Sequence, residues 1–284
     1  MKKKQGFANA LISPMVLWAI AFVGVALLYI IGLSFMTSDG AMSTTGEFTL
    51  KNYENILKPA YWRILTKSLK LAVETTLLCL LIGYPFGYFM ARCTPKWRGI
   101  LLLLIIVPFW TNALIRIYGW KILLMANGPV NEFLKAIGLI EKPLKLLYTP
   151  GAILLGMVYA LIPFMILPAY TGAEKMDWTV VEAGRDLGAS PFRAFMTLTV
   201  PLTLPSIMAG CVLVFIPSVG LFFLSDILGG SKEVMVGNLI NDAMKKNRDL
   251  PFAAALSVVL LAITAGIIGL YQRLGGKKAG LTLF

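Results

Sequence analysis

The sequence predicts an all-α integral membrane protein with six transmembrane helices and both termini on the cytoplasmic side. Three observations carry that prediction: the scarcity of charge, six long apolar runs, and a lopsided placement of the bases between them. Of 284 residues, 58% are hydrophobic and 14% are charged. A soluble globular domain has roughly 25% charged residues. The low-charge runs are 14–36, 71–91, 99–120, 146–173, 194–225 and 251–272. Only Glu74 and Arg116 interrupt them with charge. Each is long enough to supply the ~20 residues that cross a ~30 Å hydrocarbon core. The fifth is too long for one span, so its first part is expected at the interface.

The first run is longer than the ~7–15 residue core of a signal peptide and no A-x-A site follows it, so a retained helix is expected. The formal net charge is +12. Lys2, Lys3 and Lys4 precede the first run, Arg92, Lys96 and Arg98 fill the second link, and Arg273, Lys277 and Lys278 follow the last. None of these segments contains an acid. The segments 37–70, 121–145 and 226–250 mix both signs. This is the positive-inside pattern, which also places residues 174–193 in the cytoplasm. It accounts for the basic balance without nucleic acid, which would call for a basic face with aromatics in a soluble domain.

The organisation follows as a cytoplasmic N-terminal segment 1–13, a membrane domain 14–272 and a cytoplasmic tail 273–284. In the first outer segment, Leu50–Ile56 and Tyr61-Trp62-Arg63 read as short interfacial helices. In the second, Asn127-Gly128-Pro129 is a turn and 130–140 a short surface helix. In the third, Gly229-Gly230-Ser231 is a bend and 239–244 a helix. No internal repeat is evident. The second span contains Gly83-Tyr84-Pro85-Phe86-Gly87, whose glycines four apart suit close helix packing. Pro85, Pro108, Pro163, Pro168 and Pro217 interrupt spans.

Several chemistries are excluded. Cys79, Cys93 and Cys211 are scattered and read as small buried residues. Without histidine the commonest metal ligand and general base are missing, so neither a metal site nor a catalytic constellation is expected. The phosphate-binding pattern G-x-x-x-x-G-K-[ST] is absent, since Gly276-Lys277 is followed by Lys278. The chain is therefore not expected to bind and hydrolyse a nucleotide by itself.

The polar stretch 181–205 is the exception to this apolar text. Residues 180–187 can form two helical turns, with Glu182, Arg185 and Asp186 on one face. Ala183 and Gly184 are small enough to admit another surface. Gly188 follows as a residue able to take positive φ. Ser190 reads as an N-cap with Pro191 at the first helical position. Phe192, Phe195, Leu198 and Leu202 continue at helical spacing, and Pro201 and Pro205 mark the return to the membrane. A short helix, a glycine turn and a second short helix are expected under the bilayer.

Glu182-Ala183-Gly184, then Gly188, then Leu198-Thr199-Val200-Pro201 resembles the EAA signature of ABC importer permeases: E-A-A, three residues, G, nine residues, I-x-L-P. Gly184, Leu198 and Val200 depart from it conservatively. Further runs resemble the polyamine (spermidine/putrescine) permeases, B-type subunit. These are Val107-Pro108-Phe109-Trp110-Thr111-Asn112 with Ile115-Arg116-Ile117-Tyr118-Gly119, Tyr84-Pro85-Phe86, the run 183–190, and the run 224–230. The resemblance implies a type I importer permease fold in a bacterial inner membrane. It implies a coupling loop over about 174–204, with Glu182, Ala183, Gly184, Arg185, Asp186, Gly188 and Pro201 meeting the ATPase. The implied partners are a second homologous permease, two copies of an ATP-binding subunit that holds the ATP, and an extracytoplasmic solute-binding protein.

A polycation in transit needs carboxylates, aromatic faces or carbonyls. Glu74, Asp226, Trp110, Phe109, Tyr118 and Tyr159 are the candidates, Trp110 first because it falls near the middle of its run. Plainer readings stand beside these. Glu74 can pair with Arg116, Asp226 can be a solvated helix-end acid, and the aromatics can face lipid or pack. The same class of permease could carry a metal ion, an organic acid or another organic cation. An ion-coupled secondary transporter would leave the cytoplasmic elbow unexplained.

Overall fold

The computed structural model describes residues 2–41, 43–230 and 233–275, with side chains from 13 to 269. Among these, five helices are long and apolar enough to cross a membrane: Ser13–Ser34, Pro59–Arg92, Pro150–Glu174, Pro191–Gly220 and Leu250–Gly269. A sixth crossing is available if the bent pair Pro95–Trp110 and Ala113–Ala136 counts as one. The chain divides into two compact units, 1–62 with 239–264, and 63–238 with 265–284.

The first unit holds helix α1 (Lys2–Ser34), a β-hairpin of β1 (Met36–Ser38) and β2 (Thr44–Phe48), and α2 (Lys51–Ile56). From Ser13 to Ser34 α1 is apolar all round and nearly bare, as a lipid-facing span is. Its end is tied down by Asn52, whose Nδ2 donates to the Ser34 and Met36 carbonyls, both at 3.0 Å. Ser34 Oγ donates to Ile31 O at 2.6 Å, so Tyr53, 2.7 Å away, donates to Ser34. Ile56 packs with Ala243, Phe252, Ala255 and Leu256 in this unit's core. The hairpin is antiparallel, Met36 opposite Phe48 and Ser38 opposite Thr44. Residues 61–63, expected as a separate interfacial helix, are instead the first turn of α3 (Pro59–Arg92).

The second unit is built on small residues. α7 (Pro150–Glu174) packs against α10 (Val200–Gly220) and, through Gly83, Gly87 and Cys79, against α3. A Cβ on Gly83 would lie 2.9 Å from Met165 Cγ, and one on Gly210 2.8 Å from Met165 Sδ. So α7 presses its Met165 between Gly83 and Gly210, while Gly87 abuts Ile166 O and Tyr170 N on the same helix, which together give the close approach expected of Gly83 and Gly87. Tyr84 donates to Thr203 Oγ1 at 2.8 Å, because that hydroxyl already gives its proton to Thr199 O at 2.8 Å. Cys79 and Cys211 lie together in this core as free thiols.

The third apolar run is not the single continuous helix that was expected. α4 (Pro95–Ile106) runs into a 3₁₀ turn (Val107–Trp110), and α5 (Ala113–Leu124) leaves it at 95°. Pro108 has no N–H to continue an α ladder. Thr111 is extended, and Asn112 Oδ1 accepts from Leu114 N at 2.8 Å, capping a new helix. α6 (Pro129–Ala136) follows, and fully buried Asn131 fixes it: Nδ2 donates to Met125 O and Leu144 O while Oδ1 accepts from Leu144 N.

The fifth run also departs from expectation. α8 (Trp178–Asp186) is followed by α9 (Pro191–Ala194), a π turn (Phe195–Thr199) and then α10 without a break. The second elbow helix is thus the start of the span. Val200 N–H reaches Phe195 O, five residues back. This wider turn stands directly before Pro201, whose missing N–H an α ladder would have needed; π adjustments of this kind let membrane helices hold proline. α10 stops at Gly220, five residues short of the run's end, and α11 (Phe222–Leu224), a π turn (Ser225–Gly229), α12 (Val236–Lys245) and α13 (Leu250–Gly275) complete the chain.

Candidate functional site

Two places combine polar chemistry with exposure: the elbow 177–200 and the broken third run. The elbow is built from local rules. Asp177 caps α8, its Oδ1 accepting from Thr179 N at 3.0 Å and from Thr179 Oγ1 at 2.7 Å. The hydroxyl bond first, then the amide bond, holds the Asp177 carboxyl below the usual carboxylate range. At the other end Gly188 takes φ +87°. Gly188 N donates to Arg185 O at 2.9 Å and Ala189 N to Gly184 O at 3.1 Å. That pair of bonds is a Schellman motif. Ser190 Oγ then accepts from Arg193 N at 3.3 Å, with Pro191 opening α9. Gly188 and Ser190 therefore take the conformations their residue types predict.

Inside the elbow, Met176, Val181 and Ala194 are buried together, with Trp178, Ala189 and Leu198 around them. Outside it, Glu182, Ala183, Arg185 and Asp186 are exposed, as is Pro201 in the first turn of α10. Leu187 is 90% exposed and Phe192 71%. A surface of carboxylates, small residues and bare apolar side chains on a short, well-capped helix is suited to entering a groove on another protein.

Sequence reasoning missed the residues that fasten this elbow. Arg92 lies over the Tyr88 and Trp178 rings, 5.9 and 5.5 Å from their centroids. Arg98 Nη1 donates to Glu174 Oε1 at 2.5 Å, Nη2 donates to Ala91 O at 3.1 Å, and the guanidinium lies 5.8 Å from the Tyr170 ring. Two of the bases counted as orientation signals are therefore also struts between the end of α3, the start of α4 and the approach to α8. Only an aromatic beside a cap, Trp178 after Asp177, marked the place in sequence.

The pathway candidates separate. Phe109 and Tyr159 come together, with Arg116 between them, 5.2 Å from the Phe109 centroid and 5.7 Å from that of Tyr159. They line a cavity of about 190 Å³ with Pro108, Ile162 and Pro163. Phe164 meets Phe109 edge-on at 5.3 Å, and Trp120 meets Tyr159 at 5.4 Å. Trp110 and Tyr118 are not in that lining. Trp110 sits at the end of the 3₁₀ turn beside the 95° bend and is 82% exposed, not in mid-helix as expected. Tyr118 is exposed under Lys121, whose Nζ is 5.6 Å from its ring.

The acids are also apart. Glu74 pairs with Lys70 at 3.7 Å rather than with Arg116, being one turn away on the same helix. Both line a second cavity of about 200 Å³ with the ion pair Lys67–Glu233. Asp226 is exposed and its Oδ1 accepts from Asn238 Nδ2 at 2.6 Å, so it is a braced acid rather than a merely solvated one. Among the described residues no three acids or cysteines cluster as metal ligands.

Known proteins resemble this chain in sequence and in fold. The chain is 46% identical over 267 residues to the spermidine/putrescine transport system permease protein PotB of Escherichia coli (strain K12), covering 93% of this chain and 97% of that one. Against the same protein of Salmonella typhimurium (strain LT2) the identity is 46% over 273 residues, with 96% and 95% covered. In structure it resembles a chain of the bacterial alginate ABC transporter in complex with alginate pentasaccharide-bound periplasmic protein. The TM-score is 0.74 at 14% identity, with 98% and 96% covered, so the likeness is one of fold. The family described as the binding-protein-dependent transport system inner membrane component matches residues 83–277. The chain belongs to that family: it is the membrane-embedded, non-catalytic permease component of an importer in the inner membrane.

Proposed function

We propose that this chain is the B-type permease subunit of an ATP-driven importer of polyamines, spermidine and putrescine above all. It forms half of the translocation pathway beside a second homologous permease. A solute-binding protein delivers the cargo outside and two copies of an ATP-binding subunit drive it from inside. In this reading six helices cross the membrane, the bent pair counting as one, and residues 1–13 and 273–284 lie in the cytoplasm with the elbow. Domain 14–272 is the permease proper. The basic links around 92–98 and 273–278 support that orientation.

The observation that carries the machine is the elbow: an exposed carboxylate, Glu182, on a helix capped at both ends and turned by Gly188. It docks into the ATPase, with Ala183, Gly184, Arg185 and Asp186 in the contact and Gly188 and Pro201 setting its angle. The cargo is supported by near-full-length likeness to the spermidine/putrescine permeases and by an aromatic-rich third run. Phe109, Trp110, Tyr118 and Tyr159 offer π faces to an alkylammonium, and Glu74 and Asp226 offer carboxylates at the outer end.

Co-purification with the partner ATPase, before and after Glu182→Lys, tests the docking. The reversed charge should remove the ATPase from the complex and abolish uptake of radiolabelled spermidine. Unchanged co-elution together with unchanged uptake would sink the docking assignment, and a wild-type complex that imports neither polyamine would sink the cargo.

A further inference from the structure

One aromatic site near the middle of the membrane run is already filled, and by a cation of the chain's own. Arg116 is the sole charge in 99–120. Its guanidinium faces the rings of Phe109 and Tyr159. Both rings are held by further rings, Phe164 and Trp120. Among the described residues the Arg116 side chain makes no hydrogen bond or ion pair, although its backbone N–H donates to Asn112 O at 3.2 Å, and its Nε is buried with no acceptor. The acid that could have neutralised it, Glu74, is paired with Lys70. The guanidinium is held by rings alone, and beside it lies a cavity of about 190 Å³.

An intramembrane charge faces a bundle interior or a water-filled cavity and marks a pathway or a paired site. A structural arginine at such depth is normally hydrogen-bonded to a carboxylate or to carbonyls, because buried polar groups left unsatisfied are costly. Arg116 lacks that anchor. The arrangement suits a side chain that leaves its site and returns.

We propose that Arg116 is the resident cation of this site: at rest it occupies the Phe109 and Tyr159 faces that an alkylammonium substrate takes in transit. The proposal rests on the reading of the chain as a polyamine permease. Guanidinium and ammonium compete for the same ring quadrupoles, and two like charges cannot share so small a volume of low dielectric. Entry of the substrate therefore displaces Arg116. Nothing but ring contact has to break, so displacement is easily reversed, and the return of Arg116 closes the site behind the cargo. A polyamine can effect the exchange because its second ammonium remains outside the site while the first enters.

The test uses the complete transporter in nanodiscs without the solute-binding protein, with equilibrium binding of radiolabelled spermidine as the readout. Arg116→Met keeps the length and removes the charge. It should bind spermidine roughly tenfold more tightly than wild type, the gain expected from freeing a ring site of a cation–π competitor. Adding Tyr159→Leu should abolish the gain, while Arg116→Lys should stay near wild type. Unchanged binding in Arg116→Met, or a gain that survives loss of Tyr159, overturns the proposal. Should Arg116→Met fail to assemble, the wild-type complex decides by phenylglyoxal modification of Arg116, read by mass spectrometry. Saturating spermidine should speed that modification, and protection or no change counts against the latch. Uptake with the binding protein present is run alongside. Uptake without the binding gain removes the latch alone, and the binding gain without uptake removes the polyamine reading alone.

Discussion

Gly184 and Leu198 are in contact across the elbow: a Cβ on Gly184 would collide with Leu198 Cδ1. They are two of the three positions at which the chain departs from the EAA signature. The helix gives up to about 1 kcal/mol at Gly184 relative to alanine, and Leu198 fills the space gained. Gly184→Ala alone should change α8 stability little, since the helix gain is offset by pushing Leu198 off its rotamer, about 0.5–1.5 kcal/mol. In a Leu198→Ala background the same change should slow hydrogen exchange of α8 amides about fivefold, the equivalent of about 1 kcal/mol. Equal effects in the two backgrounds would show that the residues do not couple.

Asp177 gives the elbow a defined response to acid. Its carboxylate form is favoured in the folded chain by the Thr179 bonds. A depressed folded value means the contribution is complete above the unfolded pKa, about 3.9, and is lost as pH falls through the lower folded value. Protection factors of the α8 amides should be flat between pH 8 and 5 and decline only in stronger acid. Asp177→Asn, still a good cap, should lack this acid step. A decline between pH 7 and 5 in wild type would contradict the assignment.

Gly87 and Gly83 should not tolerate alanine equally. A Cβ on Gly87 would lie 2.9 Å from Ile166 O and Tyr170 N, backbone atoms that cannot move aside. At Gly83 the nearest atoms are Met165 Cγ at 2.9 Å and Cβ at 3.1 Å, near the root of a buried side chain but not backbone. Gly87→Ala should cost about 3 kcal/mol or more by overpacking and Gly83→Ala nearer about 1. Thermal unfolding of the purified complex measures both, and a larger fall for Gly83→Ala would refute the ranking.

Trp110 is a bare ring, so its removal tests function with little structural cost. Trp110→Ala should leave the thermal midpoint near wild type, within about 0.5 kcal/mol. Spermidine uptake should fall about tenfold, the loss of one good cation–π contact. Equal uptake at equal expression would take Trp110 out of the pathway.

The elbow was legible because its rules are local. Asp177, Gly188, Ser190 and Pro191 each act within a turn or so of their own position, so order along the chain reveals their roles. The third run was not legible as a bend, because apolar residues read alike in a straight helix and in a broken one. The cue was polar, Thr111-Asn112 after Pro108, and its capping chemistry was masked by the surrounding leucines and isoleucines. The hairpin 36–48 was missed because its strands are short and its turn lies among polar residues that read simply as loop. The Phe109–Arg116–Tyr159 group depends on tertiary packing between α5, α7 and the turn before α5, which spacing does not disclose. The Lys70–Glu74 pair is the reverse case: a one-turn neighbour on the same helix was available in sequence and prevailed over a distant partner.

The π turn 195–199 joins the elbow to a span with one residue more than an α-helix would use. An α-helix advances about 1.5 Å and 100° per residue. Drawing that surplus residue into regular winding would swing α9 about the axis of α10 and shift it lengthwise by a fraction of a turn. Because rise and rotation are tied together in a helix, any lengthening or shortening at this joint would turn α9 about the α10 axis as well as shift it.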